Sequence, residues 1–331
     1  MIRPTSPTPG AASTLVGAPD ARPGAEVRIA NRATYWPVAP LDLVLGAPLV
    51  VRLLLGASPV GRVVQAAALG AYLASAARDW RDRRAIRRID FRREFGADID
   101  RLVPMPRDVR QAEVQALAGR LNDEFTERRR PRRELAVEVD RHLTSYVAGI
   151  TGQHVWTSVE VRDFTLARLA MPSALGMCDV LSGDIAIFQD TGPFEPHILA
   201  HELCHRKGYW KELHAQVLAY LALTASADPE LEQSARLERV YRSLRVLSGG
   251  DQAAFERLVG QLRLRPELRD RLLGSRRPSG AVARGMDTAV RRLYDARMRL
   301  TGQNGISDYD LGFTNFLYTF ETSATARQRP R

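Results

Sequence analysis

The stretch His201-Glu202-Leu203-Cys204-His205 constrains this chain more than any other five residues in it. In an α-helix, side chains four apart stand one turn above the other on the same face. The run Pro196-His197-Ile198-Leu199-Ala200 leads directly into the motif and is apolar enough for a packed helix. On such a helix His201 and His205 aim two imidazoles at one point, and Glu202 lies beside it. Two converging imidazoles make a site for a divalent ion, and the neighbouring carboxylate can reach a water on that ion. With six histidines in 331 residues, the spacing arises by chance in under about one such chain in a hundred.

A catalytic zinc site takes three ligands from the protein and leaves one position for water. The third ligand must come from beyond the motif helix. Gly208 can end that helix in a left-handed conformation and turn the chain back. A second helix then begins near Lys211, and Glu212 and His214 are the two candidates on it. They are two apart, so they point in different directions and do not easily both serve. Glu212, on the first turn, is favoured, with His214 as the alternative. His197, one turn before His201, reads as a supporting histidine, and His142 as a structural or surface one. Cys204 faces away from both motif histidines and reads as packing. Tyr209 and Trp210 read as core aromatics or as lining of a cleft.

Elsewhere the pattern is helical. Val114, Leu117, Leu121 and Phe125 recur at three- and four-residue spacing, as do Leu135, Val139, Leu143, Tyr146 and Ile150. Further helices are expected near 197–207, 211–225, 229–247, 251–263 and 281–300. Val159-Glu160-Val161 and residues 184–188 read as short strands, the second entered through the turn Ser182-Gly183-Asp184. The expected fold class is mostly α (α+β), with a small β element before the motif helix.

The chain divides into four segments. Residues 1–36, rich in Pro, Gly, Ala, Ser and Thr, read as a disordered leader without the order of a signal peptide. Residues 37–95 read as an apolar helical hairpin followed by arginines; 96–325 form the domain carrying the motif; 326–331 are a disordered tail. The stretches 38–56 and 59–77 are interrupted by Asp42, Arg52 and Arg62, so neither supplies a clean span of roughly 20 apolar residues. Two readings stand for 38–93: a buried hairpin with a solvated helix, which the internal charges favour, or a membrane-seated anchor. They place the chain in the cytoplasm or at the inner membrane, peripherally or integrally. The two cysteines exclude a disulfide framework. The net charge of +10 comes almost wholly from arginine, Lys207 and Lys211 being the two lysines, and no nucleic-acid motif accompanies it. A nucleic-acid partner is therefore not expected.

From His201 to Leu221 the sequence resembles a bacterial domain-of-unknown-function family of zinc metallopeptidases, of the glutamate-zincin type. Its members read His-Glu-Leu-Ala-His, a glycine three residues on, then Glu-Asp-Glu-Ala-Asn and an apolar helix. Ser182-Gly183-Asp184 is similar to the family's segment before the metal helix. Gly302-Gln303-Asn304-Gly305-Ile306-Ser307-Asp308-Tyr309 is similar to its closing Gly-x-x-Ser-Tyr element. The likeness covers roughly residues 155–320. It implies a zincin-like helical core and one Zn2+ held by His201, His205 and Glu212. It also implies Glu202 as the catalytic base, Tyr309 as a donor to the oxyanion, and a peptide or protein as substrate. The packed-aromatic reading of Tyr309 stays open beside Phe313, Phe316 and Tyr318. The chain departs from the family at His214, where the second acidic residue belongs, and at Gln216, where an asparagine belongs. Family members carry N-terminal membrane helices, of which 38–77 would be a shortened counterpart. The expected function is zinc-dependent peptide-bond hydrolysis; the alternative is a catalytically inactive, zinc-stabilised binding or regulatory module at the membrane.

Overall fold

The computed structural model describes residues 25–32, 59–163, 174–274 and 281–323. These form a mostly helical protein with two small sheets. At its centre lies α5 (Glu195–Arg206), the motif helix, of which every residue is buried. Around it pack α4 (Arg132–Thr151), α6 (Glu212–Thr224) and α7 (Pro229–Leu247). A helix apolar on one stripe only would present its back to water; α5 instead is enclosed by elements on all sides, so its polar side chains must find partners inside. One core cluster runs from Ile89 to Leu317 and includes Leu199, Leu203 and Cys204 of α5.

The expected helices appear at 195–206, 212–224 and 229–247, followed by α8 (Gln252–Gln261), α9 (Pro266–Gly274) and α10 (Ala281–Leu300). Upstream, α1 (Pro59–Arg83) turns Tyr72, Ala76 and Asp79 inward, and short α2 (Phe91–Phe95) and α3 (Arg107–Asp123) follow. After α10 a π-helical turn at Asp308–Gly312 leads into α11 (Phe313–Thr322). The reach of α11 follows from Phe313, Phe316, Leu317 and Phe320, spaced at three and four residues, the first three fully buried.

A three-stranded sheet flanks α5. Its strands are β3 (Arg162–Asp163), β4 (Gly176–Cys178) and β5 (Ile185–Ile187), in the order β3-β5-β4, with β5 parallel to β3 and antiparallel to β4. The strand expected at 159–161 is not one. Ser158 instead gives its carbonyl to Arg206 Nη1 at 2.6 Å and its N–H to Asn31 Oδ1 at 2.8 Å, while Glu160 N–H turns back on the Ser158 hydroxyl at 3.1 Å. Such local bonds compete with a ladder.

The structureless leader expected to run through residue 36 also gives way. β1 (Ala25–Arg28) pairs in parallel with β2 (Gln153–Trp156). Val27 and Ile29 alternate towards Ile86 and Val155, and this small apolar cluster is what ordering the segment gains. The first arm of the expected hairpin, residues 37–58, and the tail 326–331 lie outside the described residues. Among the described residues no helix is long and apolar enough to cross a membrane.

Two consecutive cations fasten the end of α5. Arg206 Nε donates to Gly183 O at 2.6 Å. Lys207 Nζ lies 2.7 Å from Asp140 Oδ1, 2.8 Å from Thr144 Oγ1 and 2.7 Å from Val155 O, tying α5 to α4 and β2. Burial pulls the Lys207 ammonium below its ordinary pKa, and Asp140 resists that pull. Removing one partner strands the other charge in the core. Asp140→Ala is therefore expected to cost about 3–5 kcal/mol in denaturant unfolding. Asp140→Leu combined with Lys207→Met should recover most of that loss; a single variant as stable as the parent would show the pair to be idle.

Candidate metal centre

His201 and His205 leave the same face of α5, with ring centroids 4.6 Å apart and planes nearly perpendicular. Their Nε2 atoms are separated by 3.1 Å. The chain then reverses through Gly208, which adopts φ +93°. Gly208 N–H bonds His205 O at 2.8 Å and Tyr209 N–H bonds Cys204 O at 3.0 Å, the paired bonds of a Schellman end. The positive φ favours glycine here, and the Arg88 guanidinium lies 2.6 Å from where a Cβ would stand.

The reversal delivers Glu212, first residue of α6, back onto the histidines. Glu212 Oε2 lies 3.1 Å from His201 Nε2 and 3.2 Å from His205 Nε2. Three buried donor atoms, two nitrogens and one oxygen, therefore face one another. Ligand bonds of about 2.0–2.2 Å at tetrahedral angles put neighbouring zinc ligands about 3.3 Å apart, close to the spacing seen. His205 Nδ1–H donates to Tyr209 O at 2.8 Å, which directs the lone pair of Nε2 inward. The residues present fit a zinc ion in identity, number and orientation.

The electrostatics agree. Burial alone would neutralise Glu212, but the His205 charge and hydrogen bonds from both histidines hold its carboxyl well below the ordinary range. Burial likewise opposes charge on His205, yet Glu212 beside it raises the imidazole to about 9. Glu202 points from the same helix towards β4 and accepts from the Cys178 backbone N–H. Burial lifts its carboxyl above the ordinary value, with the two histidines pulling the other way. Gly176 makes room for it: a Cβ there would lie 3.3 Å from Glu202 Oε1 and 2.8 Å from Ile187 Cδ1.

His214 stands apart. Its Nε2 meets Asp98 Oδ1 at 2.8 Å, and its ring stacks on Phe91 at 3.6 Å between centroids. His197 is buried one turn below His201, 6.3 Å from the Phe313 ring, and burial lowers its imidazole to about 4. His142 pairs with Glu138 at 3.2 Å on the side of α4. Cys204 is fully buried and a free thiol. Trp210 lies parallel to the His205 ring at 6.1 Å and continues to Trp80 at 6.3 Å, so it walls the site on the α1 side.

The C-terminal segment closes over Glu212. Gln303 Oε1 accepts from the Glu212 backbone N–H at 2.7 Å, and Tyr309 Oη donates to Glu212 Oε2 at 2.6 Å. Residues 176–318 match the model of a family described as a protein of unknown function (DUF3810). The matched stretch begins at β4 and ends in α11, and holds the motif, Glu212 and Tyr309. No curated protein and no solved structure matches the chain.

Three residues of the centre carry no motif. Tyr294 of α10 donates to the other carboxylate oxygen, Glu212 Oε1, and its hydroxyl is 3.5 Å from that of Tyr309. Arg242 of α7 places its guanidinium 5.3 Å from the Tyr309 ring centroid while donating to Asp310 Oδ1 at 2.8 Å. It also donates to Glu238 Oε1 at 2.7 Å, which in turn accepts from Gln216. The aromatic ring and the adjacent carboxylate thus fix the π-helical turn in which Tyr309 sits. The geometry separates the two third-ligand candidates. Purified His214→Ala should contain as much zinc as the parent, and Glu212→Ala little or none; the reverse pattern would reinstate His214.

Proposed function

We propose that this chain is a zinc-dependent metallopeptidase with a zincin-like helical core. The observation that carries the reading is the convergence of His201 Nε2, His205 Nε2 and Glu212 Oε2 at 3.1–3.2 Å, with the Glu202 carboxyl one residue along the same buried helix. A zinc ion held there supplies Lewis acidity, lowering the pKa of a coordinated water towards ~7. Glu202 is the base that takes the proton of the attacking water and returns it to the leaving amine. Burial raises its pKa above the ordinary carboxylate value, which makes it a stronger proton acceptor than an exposed glutamate. The carboxyl is buried against β4.

Tyr309 is proposed as the donor to the oxyanion, its hydroxyl being held beside Oε2 of the third ligand. Burial and the Glu212 charge keep that phenol well above its ordinary pKa, so it remains a donor across the working range. β4 is an edge of its sheet among the described residues and runs along Glu202, a place where an extended peptide can add as a further strand.

One observation favours the second reading, a zinc-stabilised module without turnover: His201, Glu202, His205 and Glu212 are all at least nine-tenths buried. The two readings part at Glu202. Glu202→Gln should keep its zinc and lose on the order of 10²–10⁴-fold in cleavage of a mixed peptide library followed by mass spectrometry. A parent protein that holds zinc and cleaves nothing in that library would leave the module reading.

The pH behaviour follows from His205 and Glu212. The raised His205 pKa contributes stability to the metal-free protein that is complete below about 6.5 and is lost as pH rises through about 9. The depressed Glu212 pKa contributes stability present above about 4.5 and lost only on acidification through its low folded value. Metal-free protein should thus lose stability between pH 7 and 10, while zinc-loaded protein should not. Zinc uptake below pH 9 should release about one proton, read by calorimetry in buffers of different ionisation enthalpy; uptake with no proton release at pH 7 contradicts the assignment.

A further inference from the structure

α10 (Ala281–Leu300) is attached to the protein in an unusual sense. Its apolar residues Leu293 and Leu300, seven apart on one stripe, are 75% and 89% exposed. Its inward positions are Tyr294 and Met298, the latter buried. Beyond these, Asp295 Oδ1 accepts from the Ile306 N–H at 2.8 Å, a bond within the C-terminal segment itself. A polar contact that joins α10 to the helical body is the Tyr294 hydroxyl on Glu212 Oε1, with the Arg297 guanidinium over the same ring at 5.5 Å.

That contact falls on the one carboxylate whose other oxygen faces both histidines. A carboxylate whose two oxygens are free can rotate or chelate through both. With Oε1 held by Tyr294 and Oε2 turned to the Nε2 pair, Glu212 presents a single oxygen in a fixed direction. The tyrosine is itself half-buried, with its hydroxyl donating to the carboxylate.

Resting on the metal reading above, we infer that Tyr294 is a positioning residue that fixes Glu212 as a one-oxygen ligand, and that through it the docking of α10 and the occupancy of the metal site are coupled. Coupling of this kind is reciprocal: whatever α10 docking adds to metal affinity, the metal adds to α10 docking. The helix is thus a handle on the site, and its exposed Leu293–Leu300 stripe lies on the side away from the ligand.

The test uses the full-length protein. Zinc affinity is measured by competition with a chromophoric chelator, and amide exchange of peptides from α10, α5 and α6 is followed with and without zinc. The parent should bind zinc, and zinc should slow exchange in α10. Tyr294→Phe keeps the ring and removes the hydroxyl. It should weaken zinc by roughly 10- to 100-fold and abolish the zinc-dependent protection of α10, while α5 and α6 exchange as in the parent. Leu293→Ser, at an exposed position of the same helix, should leave both readouts unchanged. Tyr294→Phe with parental affinity and parental protection overturns the inference while leaving the metal site standing. An equal loss in Leu293→Ser overturns it too, since the hydroxyl would not be responsible. A parent that takes up no zinc removes the metal reading itself, and the inference with it.

Discussion

The structure turns on a buried carboxylate. Glu212 sits among apolar side chains, where an ionised group without partners would be prohibitively unfavourable. It is nevertheless held as a carboxylate because five groups from four parts of the chain converge on it: two imidazoles from α5, phenols from α10 and from the π-helical turn, and Gln303 on its backbone. Each partner satisfies a lone pair or donor that burial would otherwise orphan. Residues near 201–212 and near 294–309 are thereby bound to one point although about eighty residues of chain lie between them. The C-terminal helices are consequently part of the centre rather than an addition to it.

What surrounds the carboxylate explains why the motif helix can be rigid while wholly enclosed. A helix with three histidines, two glutamates and an arginine, followed at once by a lysine, is a poor candidate for a core. It is accommodated because Arg206 and Lys207 each find backbone carbonyls and, for Lys207, a carboxylate on the packed neighbours. These bonds fix the axial position and rotation of α5, and so the direction of both imidazoles. A metal-binding arrangement needs that precision in its support as much as in its ligands. The same logic reaches Tyr309 through Arg242, whose cation is shared among Glu238, Asp310 and the aromatic ring.

The motif helix, the glycine reversal and the returning helix were legible in the sequence because each is a local rule: i,i+4 spacing, a left-handed C-terminus, an acidic first turn. His214 could be weighed against Glu212 only as a direction on a helix; what removes it from the centre is Asp98 and Phe91, more than a hundred residues upstream, which no spacing reveals. β1 was hidden by a composition that resembles a leader, since two alternating apolar residues are too weak a pattern to outweigh Pro and Gly around them. Tyr294 was hidden by a misleading pattern. In α10 the apolar stripe through Leu293 and Leu300 is the natural inward face, yet it is the exposed one, and the helix instead turns a tyrosine and a methionine to the body. Periodicity reports which side is apolar, not which side is needed.

The charge balance of the centre ties these parts together. Two neutral imidazoles, an ionised Glu212 and an inward carboxyl at Glu202 leave negative charge in a buried place, and something positive has to answer it. In the protein without an ion that answer is a proton: His205 is driven up to about 9 by Glu212 despite burial that opposes its charge. The donor separations also suit a divalent cation, and burial raises the Glu202 carboxyl above its ordinary value. A divalent ion would answer both carboxylates at once. The arrangement is one in which the fold tolerates the protonated form and would be electrostatically completed by a divalent metal.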